Sequence, residues 1–208
     1  MGYISQWPVK ELKKEYGLEI AIETGTYIGH GAALLASHGF KKVYTIELLE
    51  HHFKLLDFSY IPSVHALLGS STDVLPGILK GNRNIPTFFW LDAHLPSHYG
   101  DRIRSKEIEF PLKRELELIV ENKDVSRDVF VIDDIRIYED GPFTSGPARG
   151  IARFPERGIS FICDLFKKTH LITKDYRGEG FLILEPLIPQ GTAQARSANL
   201  TDWQELVE

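Results

Sequence analysis

Two kinds of hydrophobic pattern alternate along the chain. Compact runs of β-branched and aromatic residues lie near 18–22, 42–47, 64–68, 87–94 and 129–132, each bounded by glycine, proline or charge. Between them, apolar residues recur at the three- and four-residue spacing of an amphipathic helix. Helices are predicted near 10–17, 29–37, 49–56, from Ser71, Thr72 or Asp73 (one of which caps it) to Leu79, 111–122 and 159–168. The helix at 111–122 carries Leu112, Leu116, Ile119 and Val120 on its apolar stripe, and its acids and bases read as a solvated face. Residues 169–175 and 180–184 read as a hairpin turning at Tyr176-Arg177-Gly178-Glu179. Alternating β and α units predict an α/β domain with a doubly wound, mostly parallel sheet. A single domain over 1–208 is expected, with its core at about 18–186 and a tail from 187 in which Trp203, Leu206 and Val207 suit a docking helix.

The stretch 20–31, I-A-I-E-T-G-T-Y-I-G-H-G, is the strand, tight turn and helix start of a nucleotide-binding unit. In a dinucleotide fold the second glycine admits a diphosphate, but here that position is Tyr27. The pattern present is Glu23-x-Gly25-x-x-x-Gly29, and a carboxylate before the turn repels phosphate and suits an ammonium or a hydroxyl. A nucleoside with a cationic tail is the expected ligand; the alternative is an ordinary strand-to-helix turn. Glu47 closes the second strand 22 positions past Gly25, near the offset at which an acid meets ribose hydroxyls.

This motif resembles that of the class I S-adenosylmethionine-dependent methyltransferases. The resemblance implies a Rossmann-like sheet of seven strands, parallel except for one late strand. It makes Glu23, Thr24, Gly25, Thr26, Gly29 and Glu47 cofactor-binding residues and places Ser70 and Ser71, after the third strand, against the adenine.

Composition narrows the partners. The 208 residues are 43% hydrophobic and 25% charged, enough for one stable core, and the formal charge of −5 disfavours a broad nucleic-acid footprint. A single cysteine, Cys163, rules out an intrachain disulfide framework and suits a reducing compartment. No apolar run approaches a membrane span, no signal h-region is present, and Gln6 spoils a myristoylation reading of Gly2. A cytoplasmic protein acting on a small molecule is expected, and a homo-oligomer is allowed for.

The acids at the later strand ends carry the chemistry. Thr87-Phe88-Phe89-Trp90-Leu91 is apolar on both faces and stops on Asp92 and His94, and the fifth strand stops on Asp133-Asp134. In a doubly wound sheet these meet at the switch point. Carboxylates without thiolates suit Mg²⁺, Mn²⁺ or Ca²⁺. His94 has three readings: the base, a metal ligand, or a hydrogen-bond partner of Asp92. W-L-D-A-H with V-I-D-D resembles the metal-assisted small-molecule O-methyltransferases, the macrocin-type sugar enzymes and more distantly the catechol enzymes. That resemblance implies that Asp92, Asp133 and Asp134 hold a divalent cation, Mg²⁺ being expected, and that His94 and Asp92 are catalytic. The expected activity is methyl transfer to a hydroxyl of a sugar, polyketide or phenol. Alternatives are a metal-independent methyltransferase with His94 as base, a metal-dependent hydrolase built on D-x-H, and a non-catalytic nucleoside-binding module. Residues 95–107 suit a substrate-covering loop, 138–158 a substrate wall, and Arg149 and Arg153 an anionic substrate group.

Overall fold

A computed structural model describes residues 4–94, 110–146 and 157–187. The strands are β1 (Ile20–Thr24), β2 (Lys42–Glu47), β3 (Val64–Leu68), β4 (Thr87–Leu91), β5 (Val129–Asp133), β6 (His170–Asp175) and β7 (Phe181–Pro186). They form one seven-stranded sheet in the order β3-β2-β1-β4-β5-β7-β6. The first five are parallel to one another, and β7 runs antiparallel to both β5 and β6. The expected sheet, late antiparallel strand included, is therefore present.

The helices are α1 (Val9–Tyr16), α2 (His30–Ser37), α3 (Glu50–Phe53), α4 (Ser71–Gly81), α5 (Leu112–Asn122) and α6 (Ser160–Phe166). Two apolar layers flank the sheet. On one face Ile22, Phe89, Leu91, Phe130 and Ile132 pack against Leu75, Leu116, Ile119 and Phe166 of α4, α5 and α6. On the other, Ala21, Val43, Phe88, Trp90 and Val131 pack against Leu12 and Leu35 of α1 and α2. Burial on both sides explains why β1, β4 and β5 read as continuous apolar runs rather than alternating ones. Phe89 and Phe130 stack at 4.6 Å across β4 and β5, and Phe166 meets Phe130 edge-on. Among the described residues no helix is long and apolar enough to cross a membrane.

Several boundaries differ from expectation. β1 starts and ends two residues later, so Glu23 and Thr24 belong to the strand. β4 ends at Leu91, leaving Asp92, Ala93 and His94 in the following turn. α3 is only one turn long, its sequence E-H-H-F having no buried residue to anchor it. The N-cap of α4 is Ser70, without a side-chain cap bond, rather than Ser71, Thr72 or Asp73. Between β5 and the loop-like segment from Tyr138, Ile135–Ile137 forms a buried 3-10 turn for which the sequence predicts no element, and Tyr138 packs into the core. Residues 95–107, Arg149, Arg153 and the tail beyond Leu187 lie outside the described residues.

At the amino end of the sheet, β4 and β5 are tied by a buried ion pair. Lys123, just after α5, lies 3.4 Å from Asp128, both side chains being inaccessible, and it also donates to the carbonyls of Asn82 and Ile85. Asp128 in turn accepts from the Thr87 N–H at the start of β4. Removing one partner of such a pair strands the other, at a cost of about 3 to 5 kcal/mol. Lys123→Met is expected to lower stability by that order in urea denaturation, and Lys123→Met with Asp128→Leu to recover most of the loss.

Candidate active site

The chain leaves β1 toward β2 and β3 on one side and toward β4 and β5 on the other, so the switch point lies between β1 and β4. There the two strand ends touch. The Asp92 N–H donates to the Thr24 carbonyl at 3.1 Å, and a methyl group placed on Gly25 would overlap the Asp92 carbonyl oxygen. Gly25 also has φ +88°, a region that side chains disfavour. The glycine recognised in the sequence is thus demanded by the packing of one strand end on another. Its N–H and that of Thr26 both donate to the Ile46 carbonyl, which seats the turn against β2.

Glu47, at the end of β2, faces this turn as its position predicted. One carboxylate oxygen accepts the Tyr27 N–H and the other the Leu49 N–H, each at 2.8 Å. Tyr27, with φ +48°, sets its ring edge-on to His52. Gly29 is the N-cap of α2, at φ +82°.

The Glu23 side chain is buried beneath α2, where one oxygen accepts from the Thr45 hydroxyl at 2.6 Å and the other occupies the space a Cβ on Gly31 would fill. Thr45 is bonded in turn to the Thr26 hydroxyl at 2.6 Å. Burial pushes the Glu23 carboxyl up to about 8, and the Thr45 hydrogen bond opposes the rise. Glu23 therefore braces the turn against α2. Thr24 points to the opposite face, fully buried, beside Ser71. The Ser70 hydroxyl is paired with that of Thr72 at 2.8 Å.

The acids and the histidine do converge. His94 lies between two carboxylates, its Nδ1 3.3 Å from Asp92 and its Nε2 2.9 Å from Asp134. Asp134 adopts φ +61°, which brings it to the same rim as Asp133 although they are neighbours at a strand end. Its second oxygen accepts from Arg136 at 2.8 Å, and Arg136 also donates to Glu179 at 2.6 Å. The two flanking carboxylates overcome the effect of burial and raise the His94 imidazole to about 10, so the ring is a cation near neutral pH. Asp134, gripped by His94 and Arg136, is held below the usual carboxylate range despite its burial. Asp133 is pushed well above that range by burial and by the charges of Asp92 and Asp134.

The hard-oxygen donors suit a divalent cation by type, but their arrangement does not. Both Asp134 oxygens are engaged, one Asp133 oxygen accepts the Asp134 N–H, and the His94 ring fills the space between Asp92 and Asp134. Among the described residues no group of three His, Cys, Asp or Glu is placed to hold a metal ion. Nor does a second histidine reach the cluster among them. His52 meets the Tyr27 ring edge-on and His65 stacks on Tyr44, so the D-x-H hydrolase alternative gains no further ligand there.

One residue of this rim was hidden in the sequence. Glu115 of α5 is 1% exposed, and it lines a small cavity with Asp92, His94, Asp133 and Tyr138. The Ser71 and Thr24 hydroxyls and the Asp92 charge are near enough to affect its ionisation, yet neither Glu115 oxygen completes a hydrogen bond. Burial raises this carboxyl to about 7. The signal was its spacing: Glu115 stands between Leu112 and Ile119, next to Leu116, on the stripe that should be apolar.

Solved structures share this architecture. The O-methyltransferase TomG of Streptomyces achromogenes, involved in tomaymycin synthesis and determined with S-adenosylmethionine, is 16% identical, with a TM-score of 0.56 over 89% of this chain and 81% of its own. A methyltransferase of Podospora anserina bound to S-adenosylhomocysteine is 12% identical, with a TM-score of 0.59 over 90% and 80%. A ribosomal-RNA methylase of Streptococcus thermophilus is 16% identical, with a TM-score of 0.51 over 88% and 98%. No protein-family model matches the chain, and no curated protein matches its sequence. What is shared at such identities is the architecture: this chain has the class I S-adenosylmethionine-dependent methyltransferase fold.

Proposed function

We propose that this chain transfers the methyl group of S-adenosylmethionine to a hydroxyl of a small molecule. The observation that carries the reading is the junction of the Gly25 turn with Asp92 at the switch point, faced by Glu47 on one side and by His94, Asp133 and Asp134 on the other. TomG, one structure of the same architecture, is an O-methyltransferase determined with that donor. The formal charge of −5 favours a small acceptor over a polyanion.

The nucleoside lies over the turn. Each Glu47 oxygen spends one lone pair on a backbone N–H and keeps another for the ribose hydroxyls. Asp133, whose carboxylate is more basic than an exposed one, accepts the acceptor's hydroxyl proton. The imidazolium of His94, fixed by Asp92 and Asp134, lowers the cost of the developing negative oxygen. The oxygen–methyl bond forms as the sulfur–methyl bond breaks, leaving a neutral thioether, and in-line placement supplies much of the rate. With its ring held as a cation, His94 acts in this reading as an electrostatic partner, one fixed by the hydrogen-bond pairing with Asp92 that the sequence left open.

A second reading is assistance by a divalent cation, favoured by the raised carboxyl of Asp133 beside Asp92 and Asp134, which a dication would relieve. In this arrangement such an ion has to displace the His94 ring, and no step above depends on it.

S-adenosylhomocysteine is expected to bind in calorimetry with a dissociation constant of about 1 to 100 μM. Gly25→Ala should abolish that binding, since its methyl meets the Asp92 carbonyl, while Gly77→Ala, which has open space inside α4, should retain it. Binding by neither wild type nor Gly77→Ala defeats the proposal. Titrating Mn²⁺ against the protein separates the two readings: no saturation below roughly 1 mM is expected, and tighter binding that Asp133→Asn removes would install the dication. The ¹⁵N shifts of His94 are expected to stay those of an imidazolium up to pH 8, whereas titration near the ordinary histidine value would contradict its seat between two carboxylates.

A further inference from the structure

An ionised carboxylate without a hydrogen bond is among the most expensive groups to bury. Glu115 faces that cost whenever it is charged, since neither of its oxygens completes a hydrogen bond, while Leu112, Leu116 and Ile119 around it on α5 are core residues and a leucine at 115 would continue the stripe. Among the described residues, the groups around it do not compensate its charge. From the β1 end it meets the Thr24 hydroxyl, from the start of α4 the Ser71 hydroxyl, and from the β4 end the charge of Asp92. Asp133 and the Tyr138 phenol line the same cavity from the β5 side. Of the described cations on this rim, His94 is already held by Asp92 and Asp134, and Arg136 by Asp134 and Glu179. Among the described residues the rim therefore gathers four carboxyl groups, Asp92, Asp133, Asp134 and Glu115, against the cations His94 and Arg136, beneath the seam where the β1 turn presses on the end of β4.

We propose that Glu115 is the buried counter-ion of the donor's sulfonium, and so the residue that lets the site distinguish the charged donor from its neutral thioether product. The inference rests on the proposed function, which places the donor over that seam. A charge a few ångströms away in a water-poor interior is felt strongly, because little solvent intervenes. S-adenosylmethionine and S-adenosylhomocysteine share the adenosine, the ammonium and the carboxylate and differ in the methyl group and the sulfur's charge. A carboxylate beneath the sulfur, with no cation of its own among the described residues, selects the first over the second. Once the methyl has left, the attraction ends and the product is released more readily.

Calorimetry with S-adenosylmethionine and S-adenosylhomocysteine on wild type, Glu115→Gln and Glu115→Leu tests this. Wild type is expected to prefer the sulfonium ligand by on the order of tenfold. Both variants should bring the ratio to about one while keeping the thioether's affinity within about twofold. Glu115→Leu, which completes the apolar stripe, should also melt at a higher temperature than wild type, so a folding defect cannot imitate the result. A wild type that binds both ligands without preference, or variants in which the ratio is unchanged or both affinities fall together, overturns the role of Glu115 alone. If wild type binds neither ligand, the proposed function fails and the counter-ion role fails with it.

Discussion

The close approach of two strand ends is the constraint from which the rest of the site follows. Where β1 turns at Gly25 it lies so near the end of β4 that the Asp92 carbonyl leaves no room for a Cβ. That contact fixes the turn in register with Asp92 and His94, and hydrogen bonds from Gly25 and Thr26 to Ile46 fix it against β2. One glycine thus couples the first, second and fourth strands at the point where the sheet's winding reverses. A rim assembled in this way is rigid before any ligand arrives, which limits the ordering cost of binding.

Charge is distributed around that rim by burial and pairing. Glu23, under α2, is satisfied by Thr45 and serves the turn from below. Glu47 holds the turn from the β2 side through two backbone N–H groups. Across the seam, Asp134 is locked by His94 and Arg136, and Arg136 is locked by Glu179 just ahead of β7. The late antiparallel strand thereby contributes to the site as well as to the sheet edge. Asp133 and Glu115 are the acids whose ionisation burial opposes most visibly here, and groups so perturbed in a cleft are where function is expected.

Much of this was legible in the sequence because it rests on local signals. The strands β1, β4 and β5 are buried on both faces, acids stand at or just past the carboxyl ends of β1, β2, β4 and β5, and Gly25 and Gly29 mark the turn. The spacing that placed Glu47 near the turn held, as did the convergence of Asp92, His94, Asp133 and Asp134. What the sequence leaves open depends on tertiary detail. Whether Glu23 faces a ligand or α2 is decided by which side of β1 it occupies and by Gly31 above it. Whether His94 is a base or a cation is decided by Asp134, 40 positions away. Glu115 was classed with a solvated face because its neighbours Arg114 and Glu117 are polar, although its place beside Leu116 and Ile119 put it on the buried stripe.

The central claim is that a nucleoside sits over the β1–β4 seam. Backbone amide spectra of ¹⁵N-labelled protein, recorded while S-adenosylhomocysteine is added, test it most directly. The account expects the largest shifts at Gly25, Thr26, Tyr27, Gly29, Glu47, Ser70, Ser71, Asp92 and His94. Shifts concentrated at the opposite end of the sheet, around Thr87 and Asp128, or no shifts at all, would contradict it.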